Sequence, residues 1–486
     1  MHIFNIKYKL KNDLERILIT NNQGFYDYEF TFYIHPVYAW ILNQFDGKRE
    51  DNETFGIIQT LLGIKKGDLE SIISVLFSNP KEVAIQYDGV VSRFPPNVLV
   101  RNDENSTREK NDDDFFTLKA KVNHHSNRLF KPSNIVVCPT LRCYTDCIYC
   151  YADRNYPHSE LSSQAWINFI QEAKQEGIET IDVTGGEFFL KKNWQQIAKA
   201  LTDNGYFPDV STKVPLSNKT IDLIKGSGLL SLQVSLDTLN GEIASKTLNV
   251  NERYVASIKQ MVSYADEIGL KIILKPTFTK YTCTIKNLEE IFEFALSLKN
   301  MERLVVSIAG YSCYKPQSQF PEIRASIQQI EVIRKYLKEV DAKNIFYFPI
   351  YDDTFFYSAT GMRNSDVFDN RARCMANVDG FVVLPDGTVT ICEELYWTES
   401  FVLGNISNMS ISEIWNSKNA IRLATLSREE SPLYSSCLNC STFKQCHQGK
   451  GVCWKLILGA YGKDQVFEAD PRCPRSKISN VPFTYD

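Results

Sequence analysis

Residues 133–154 read SNIVVCPTLRCYTDCIYCYADR, and the three cysteines Cys143, Cys147 and Cys150 decide how the rest of the chain is read. Their spacing is C-x3-C-x2-C. The apolar run Ile135 to Val137 ahead of them reads as a buried strand. Three thiolates on one short loop can hold three irons of a [4Fe–4S] cube. Such clusters normally take four cysteines, so one iron is left open. The alternative is a zinc loop. Zinc requires a fourth ligand nearby, and His158 is the local candidate.

A length of 486 residues implies two to four domains. Apolar residues make up 43% and charged residues 23%, an ordinary soluble composition. A net charge of −4 argues against a general nucleic-acid binder. No apolar run is long enough to span a bilayer, and MHIFNIKYKLKNDLER lacks the apolar stretch of a signal peptide. The expected location is therefore the cytoplasm, where structural disulfides are rare. Thirteen cysteines in such a chain point to metal. None occurs in the first 137 residues, and seven follow residue 373.

From Ser133 onward the pattern alternates. Strands are expected at 135–138, 180–184, 209–213, 232–236, 271–276 and 304–308, with helical segments between them. The first helix, SSQAWINFIQEAKQEG, has Ser162 as its N-cap and Gly177 at its end. Trp166, Phe169, Ile170 and Ala173 share one face. Six βα units imply a parallel sheet covered by helices. They are too few for a closed eight-stranded barrel, so the expected fold is α/β, an open partial (β/α)6 barrel. Functional groups then belong at the C-terminal ends of the strands. Thr184-Gly185-Gly186-Glu187 follows the second strand. Its glycines let backbone approach a ligand, and its carboxylate suits an ammonium. Lys213 lies after Ser211-Thr212 on the third strand. The fourth ends in Val234-Ser235-Leu236-Asp237, polar groups that suit ribose hydroxyls.

The three-cysteine loop and the motifs behind it resemble the radical S-adenosylmethionine (SAM) superfamily. The resemblance implies that the open iron is chelated by the amino and carboxylate groups of SAM, whose cleavage releases a 5′-deoxyadenosyl radical. It assigns Cys143, Cys147 and Cys150 to the cluster and Tyr149 to the neighbourhood of the adenine. Gly185, Gly186 and Glu187 correspond to the motif that holds the SAM amino group, with Phe188 in place of the usual proline. Lys213, Ser235 and Asp237 become further cofactor contacts. Relatives follow the fourth strand with His-Asp and Arg; Ile243-Ala244-Ser245-Lys246 stands here.

The C-terminal cysteines form a second pattern. Cys374 and Cys392 flank a hairpin, GFVVLPDGTVTIC, turning at Pro385-Asp386-Gly387. LGNISNMSISEIWNS follows, then Cys437-x2-Cys440-x5-Cys446, Cys453 and Cys473. This resembles the SPASM extension, which binds two more [4Fe–4S] clusters and brings the total to three. The resemblance assigns Cys437, Cys440, Cys446 and Cys473 to one cluster, and Cys374, Cys392 and Cys453 to the other. The fourth position of the latter is filled by Cys313 or left open. Cys446-x6-Cys453 is longer than the usual three-residue gap. A pair of zinc knuckles, with His447 nearby, is the alternative. Glu393, directly after Cys392, occupies a position where peptide-oxidising relatives can carry a catalytic base. Cys138 is expected in the core.

Residues 1–100 read as a separate domain. Strands are expected at 4–10 and 28–34, helices at 35–45, 52–62 and 66–76, and a hairpin around Asp88-Gly89. This pattern resembles the winged-helix-like precursor-peptide recognition domain, which binds a leader peptide as an added strand. Residues 101–132, polar and with the acid run Asp112-Asp113-Asp114, are expected to be a linker. The radical SAM core is then 133–365 and the SPASM domain 366–486. The resemblance as a whole implies a maturase of ribosomally made peptides. It abstracts hydrogen from a precursor peptide that carries a leader and forms a thioether, carbon–carbon or carbon–oxygen crosslink. Its electron donor is a flavodoxin or ferredoxin, and no nucleic acid or membrane takes part. An anaerobic sulfatase-maturating type, a peptide epimerase, a small-molecule radical enzyme and a non-catalytic zinc module are the alternatives.

Overall fold

The computed structural model describes residues 1–21, 32–119, 121–123, 127–352, 368–369, 371 and 373–478. Contacts divide the chain into two compact units, Met1–Lys131 and Pro132–Asp486.

The first unit contains β1 (His2–Phe4), β2 (Tyr8–Asn12), β3 (Ile17–Asn21) and β4 (Phe32–Ile34). Three helices follow, α1 (Pro36–Gln44), α2 (Asp51–Leu62) and α3 (Lys66–Leu76), then β5 (Val83–Tyr87), β6 (Val90–Phe94) and β7 (Leu99–Arg101). β2, β3 and β4 form an antiparallel sheet, β1 pairs with β7, and β5 with β6. Asp88 and Gly89 both have positive φ, as the tight β5–β6 turn requires. The strand expected over 4–10 is split in two. Asn5 turns the chain, its carbonyl accepting from Tyr8 N (2.9 Å) and its side chain from Lys7 N (3.0 Å). The strand expected over 28–34 is described only as β4; residues 28–31 lie outside the described residues. β3 was not expected, although its ILIT run is a strand signal.

Of the stretch expected as a linker, 101–132, the residues up to Lys131 fall within the first compact unit. Half-buried Arg108 donates through NH1 to the carbonyls of Phe4 (3.1 Å), Asn5 (2.8 Å) and Tyr8 (2.7 Å), and its guanidinium lies 4.3 Å from the centre of the Phe4 ring. Burial pushes its pKa down to about 10. Asp113 Oδ1 accepts from Trp40 Nε1 at 3.1 Å. Farther along, a fully buried ion pair joins Arg16 Nε to Asp13 Oδ2 at 2.9 Å. Asp13 Oδ1 accepts from Phe130 N (2.9 Å) and Lys131 N (3.2 Å), while Arg16 donates to the Arg128 carbonyl (2.7 Å). These charges look solvated in sequence. In the fold they are buried because distant backbone groups satisfy them.

In the second unit every expected strand is present. β8 (Asn134–Val137), β9 (Thr180–Val183), β10 (Ser211–Thr212), β11 (Ser231–Val234), β12 (Lys271–Leu274) and β14 (Met301–Ile308) carry the alternation, with β13 (Thr277–Phe278) a short continuation after Pro276. The helices between them are α4 (Ser163–Gln175), α5 (Trp194–Asp203), α6 (Asn218–Gly226), α7 (Gly241–Leu248), α8 (Tyr254–Glu267) and α9 (Ile285–Leu296). Ser162 caps α4 by accepting from Ala165 N at 3.2 Å. Beyond β14 come α10 (Gln319–Ile323), α11 (Ile327–Ala342) and an additional strand, β15 (Ile350–Asp352). β8 pairs with β9, and β10, β11, β12, β14 and β15 form a second run, all parallel. This is a partial barrel with one more strand than expected.

The C-terminal hairpin is β16 (Gly380–Val383) and β17 (Thr388–Thr390), followed by β18 (Val402–Asn405). β16 runs parallel to β8, so the order β18-β17-β16-β8-β9 is one continuous sheet. Gly380 permits this pairing: a Cβ there would sit 1.8 Å from the Asn134 carbonyl oxygen. The β16–β17 turn lies at the end of β8 where the first cysteine loop begins, and Cys392 follows β17, which runs antiparallel to β16.

Removing one partner of a buried ion pair costs ~3–5 kcal/mol. Asp13→Ala should therefore lower stability to denaturant by about that much in the first unit. A loss under ~1 kcal/mol would mean that the Asp13–Arg16 pair does not hold residues 128–131 in place.

Candidate functional site

Residues 138–150 leave the end of β8 and are fixed at both sides. Asp146 N and Ile148 N donate to the Leu248 and Thr247 carbonyls at the end of α7, both at 3.0 Å. On the other side, Gly186 N donates to the Thr140 carbonyl (2.9 Å) and Glu187 N to the Arg142 carbonyl (2.7 Å). The two glycines make this contact possible. A Cβ on Gly185 would lie 2.6 Å from the Thr140 oxygen, and one on Gly186 would lie 2.3 Å from the Arg142 oxygen. Gly185 also has φ +120°. The sequence reading gave these glycines to a ligand; in the fold they serve the approach of the cysteine loop. Cys138 is buried in the core as expected, with Sγ 3.6 Å from the Thr140 carbonyl.

Within the loop, the Thr145 hydroxyl lies 3.2 Å from Cys147 Sγ and 3.7 Å from Cys143 Sγ. Burial raises Cys147 to about 11 and also raises Cys150. Neutral thiols are what a ligand loop holds before metal displaces the protons. Glu187 is 2% exposed. Its Oε2 accepts from Lys213 N at 3.1 Å, and its Oε1 is buried with no hydrogen-bond partner. Burial pushes Glu187 up to about 7. A buried carboxylate oxygen without a donor is the complement of an ammonium, and a bound cation restores the charged form. This observation fits the SAM amino group. Phe188, in place of the family's proline, packs among Phe189 and Trp194.

The Asp237 carboxylate accepts Lys213 Nζ (3.1 and 3.2 Å), Thr277 N (2.9 Å) and the Tyr149 hydroxyl. Through those bonds it braces Lys213 and Tyr149. Lys213 Nζ also donates to the Ser235 carbonyl (2.8 Å) and lies 5.7 Å from the centre of the Tyr149 ring. The Ser235 hydroxyl is partly open and lies 3.1 Å from that of Ser211.

Glu393 keeps exposed surface while protein groups gather around its carboxylate. Its Oε2 lies 3.5 Å from the Tyr151 hydroxyl, which is 3.1 Å from Thr184 Oγ1. Burial and then neighbouring Glu394 raise its pKa, and Lys275 opposes them. Glu394 is itself paired with Lys455, at 2.8 Å. The sequence reading missed Asp182. Ile181 and Val183 on β9 are buried, and Asp182 between them faces the barrel interior beside Glu393, Asp209 and Lys275. Burial first, then Glu393 and Asp209, push it up to about 8. An acid in the middle of an otherwise apolar strand was the available signal.

The C-terminal thiols form two electrostatic groups. Cys374 interacts with Cys453 and with Cys392, whereas Cys437, Cys440, Cys446 and Cys473 interact among themselves. The long gap between Cys446 and Cys453 is a π-turn over Cys446–Lys450. Gly451, at φ +73°, ends it, and Cys374 N donates to the Lys450 carbonyl at 2.7 Å. His447 on this turn stacks 4.1 Å from Phe443 and buries both ring nitrogens without a partner. Cys313 Sγ lies 3.7 Å from the Glu394 carbonyl oxygen. Among the described residues no three His, Cys, Asp or Glu side chains converge on a single ion. A cluster instead separates its thiolates over four irons, and the two thiol groups fit that donor set.

The radical SAM superfamily profile matches residues 137–304, and the profile of the SPASM iron–sulfur cluster-binding domain matches residues 374–441. A probable GTP 3′,8-cyclase of Methanococcus maripaludis (strain C5 / ATCC BAA-1333) is 33% identical over 160 residues, 32% of this chain and 52% of the cyclase. The chain thus spans about half the length of the curated relatives it first matches. Streptococcus suis SuiB bound to S-adenosylmethionine aligns with a TM-score of 0.64 at 14% identity, over 97% of this chain and 99% of SuiB. SuiB bound to the precursor peptide SuiA gives 0.62 at 13%, over 96% and 99%. At such identities the likeness is one of fold.

Hydrogen bonds to charged groups contribute ~1.5–3 kcal/mol. Glu187→Gln in the reconstituted enzyme should weaken SAM binding roughly tenfold to a hundredfold by equilibrium dialysis. An unchanged dissociation constant would remove Glu187 from the SAM site.

Proposed function

We infer, for a chain that carries a radical SAM domain and a SPASM iron–sulfur domain, that it acts on a precursor peptide and crosslinks it, through a thioether, carbon–carbon or carbon–oxygen bond. The extent of the fold likeness carries this reading. An alignment over 97% of the chain takes in the first unit as well as the second, and SuiB is a protein captured with a precursor peptide. The first unit has three helices, a two-stranded wing and a three-stranded sheet in which β2 and β4 are the edges. A leader peptide is held there by adding a strand to an open edge, with main-chain bonds giving affinity and pockets giving choice.

Within the second unit, Cys143, Cys147 and Cys150 hold the first cluster and Glu187 receives the SAM ammonium. That cluster and SAM, when bound, supply a 5′-deoxyadenosyl radical able to take a hydrogen atom from the substrate. Tyr149, fixed by Asp237, packs at the adenine side. Glu393 Oε2 accepts the proton released from the substrate residue, with the Tyr151 hydroxyl orienting it. Asp182, without a hydrogen bond or ion pair to another described side chain, binds a donor group of that residue. Two further clusters occupy the C-terminal thiol groups, and a flavodoxin or ferredoxin is the electron donor.

A small-molecule substrate is the second reading, favoured by the cyclase name of the curated relatives. The two are separated by incubating the reduced, reconstituted enzyme with SAM and either GTP or the short peptide encoded beside its gene. The peptide reading expects the peptide to lose two hydrogens by mass spectrometry while GTP is unchanged. GTP consumption coupled to 5′-deoxyadenosine release, with an unaltered peptide, would contradict it.

A further inference from the structure

We propose that Arg371 and Arg475 raise the reduction potential of the cluster held by Cys437, Cys440, Cys446 and Cys473, so that it is the more easily reduced of the two C-terminal clusters. This rests on the reading that both thiol groups bind clusters.

Both guanidiniums point at cluster thiols. Arg371 donates through NH2 to Cys446 Sγ at 3.1 Å, and Arg475 donates through NH1 to Cys440 Sγ at 3.0 Å. The remaining bonds of Arg371 go to uncharged carbonyls, those of Gly451 (2.6 and 3.0 Å) and Phe368 (2.7 Å). Among the described residues neither arginine forms an ion pair with a carboxylate. Their positive charge is therefore left to the sulfurs.

The cations at the other thiol group are each paired with a carboxylate, although one of these, Asp470, also lies within range of Cys446 and Cys473. Lys455 Nζ binds both oxygens of Glu394 at 2.9 and 2.8 Å. Arg472 binds both oxygens of Asp470 at 3.0 and 2.8 Å, and Asp470 also accepts from Cys453 N at 2.9 Å. Glu393 adds a further acid directly after Cys392.

Reduction adds one negative charge to a cluster. Net charge and hydrogen bonds to sulfur set how readily it is accepted, and a buried cation acts more strongly than an exposed one. Arg371 is 5% exposed and Arg475 lies at the surface, so Arg371 is the stronger of the two. With both thiol groups loaded, the Cys437 group would be the better acceptor of one electron from the Cys374 group, with no proton moved, and Cys440 would lie on its side toward exposed Thr442 and Arg475.

The test uses full-length reconstituted wild type, Arg371→Gln, Arg475→Gln and Arg475→Lys. Iron and sulfide are counted, and midpoint potentials are followed by electron paramagnetic resonance. The relevant signal is the one lost in Cys437→Ala. We expect Arg475→Gln to keep wild-type iron and to move that midpoint to more negative potential, leaving the other signals in place. Arg475→Lys should move it less and Arg371→Gln more. Full iron content with an unmoved midpoint in both glutamine variants would overturn the proposal. If Arg371→Gln loses iron, an unmoved midpoint in Arg475→Gln alone overturns it. Wild type holding iron for the first cluster only would instead overturn the cluster reading itself.

Discussion

The second unit depends on a backbone contact that only glycine allows. The loop after β9 lies against residues 140–142 because Gly185 and Gly186 have no Cβ to collide with the Thr140 and Arg142 oxygens. Two hydrogen bonds then fix the separation, and Glu187 is the next residue in the chain. The cysteine loop and the buried carboxylate are thus positioned by one contact. A larger side chain at either glycine would move the cysteine loop and the buried Glu187 carboxylate apart.

A second sheet contact connects this centre to the C-terminal domain. β16 adds in parallel to β8, with Gly380 against Asn134. The hairpin's turn at residues 384–387 therefore lies where the barrel strands end, β17 runs back beside β16, and the segment after it places Glu393 beside Tyr151, Thr184 and Asp182. The chain crosses more than two hundred residues to make that neighbourhood. Parallel strands bring remote segments together without any sequence signature of the pairing.

What sequence conveyed was local. The C-x3-C-x2-C loop, the six strands and the Ser162 cap are each defined by neighbours a few residues apart, and all are present. The roles of single polar residues depended on distant partners. Asp237 seemed open at a strand end, yet Lys213, Thr277 and Tyr149 donate to it. Residues 101–132 read as a linker because their charges stand among polar neighbours. Arg108 and the Asp13–Arg16 pair are instead satisfied by carbonyls and amides remote in sequence. Asp182 was passed over because one acid in a strand of four residues leaves the strand pattern intact. Its meaning comes from Glu393 and Lys275 across the barrel.

The central claim is that three cysteines hold a cluster with one open iron facing Glu187. A crystal structure of the anaerobically reconstituted protein with SAM, recorded at the iron edge, measures this most directly. The account predicts iron density at Cys143, Cys147 and Cys150, with no fourth protein ligand and the SAM amino nitrogen within hydrogen-bond reach of Glu187 Oε1. A single zinc ion at those cysteines, or a cluster closed by a fourth side chain, would contradict it.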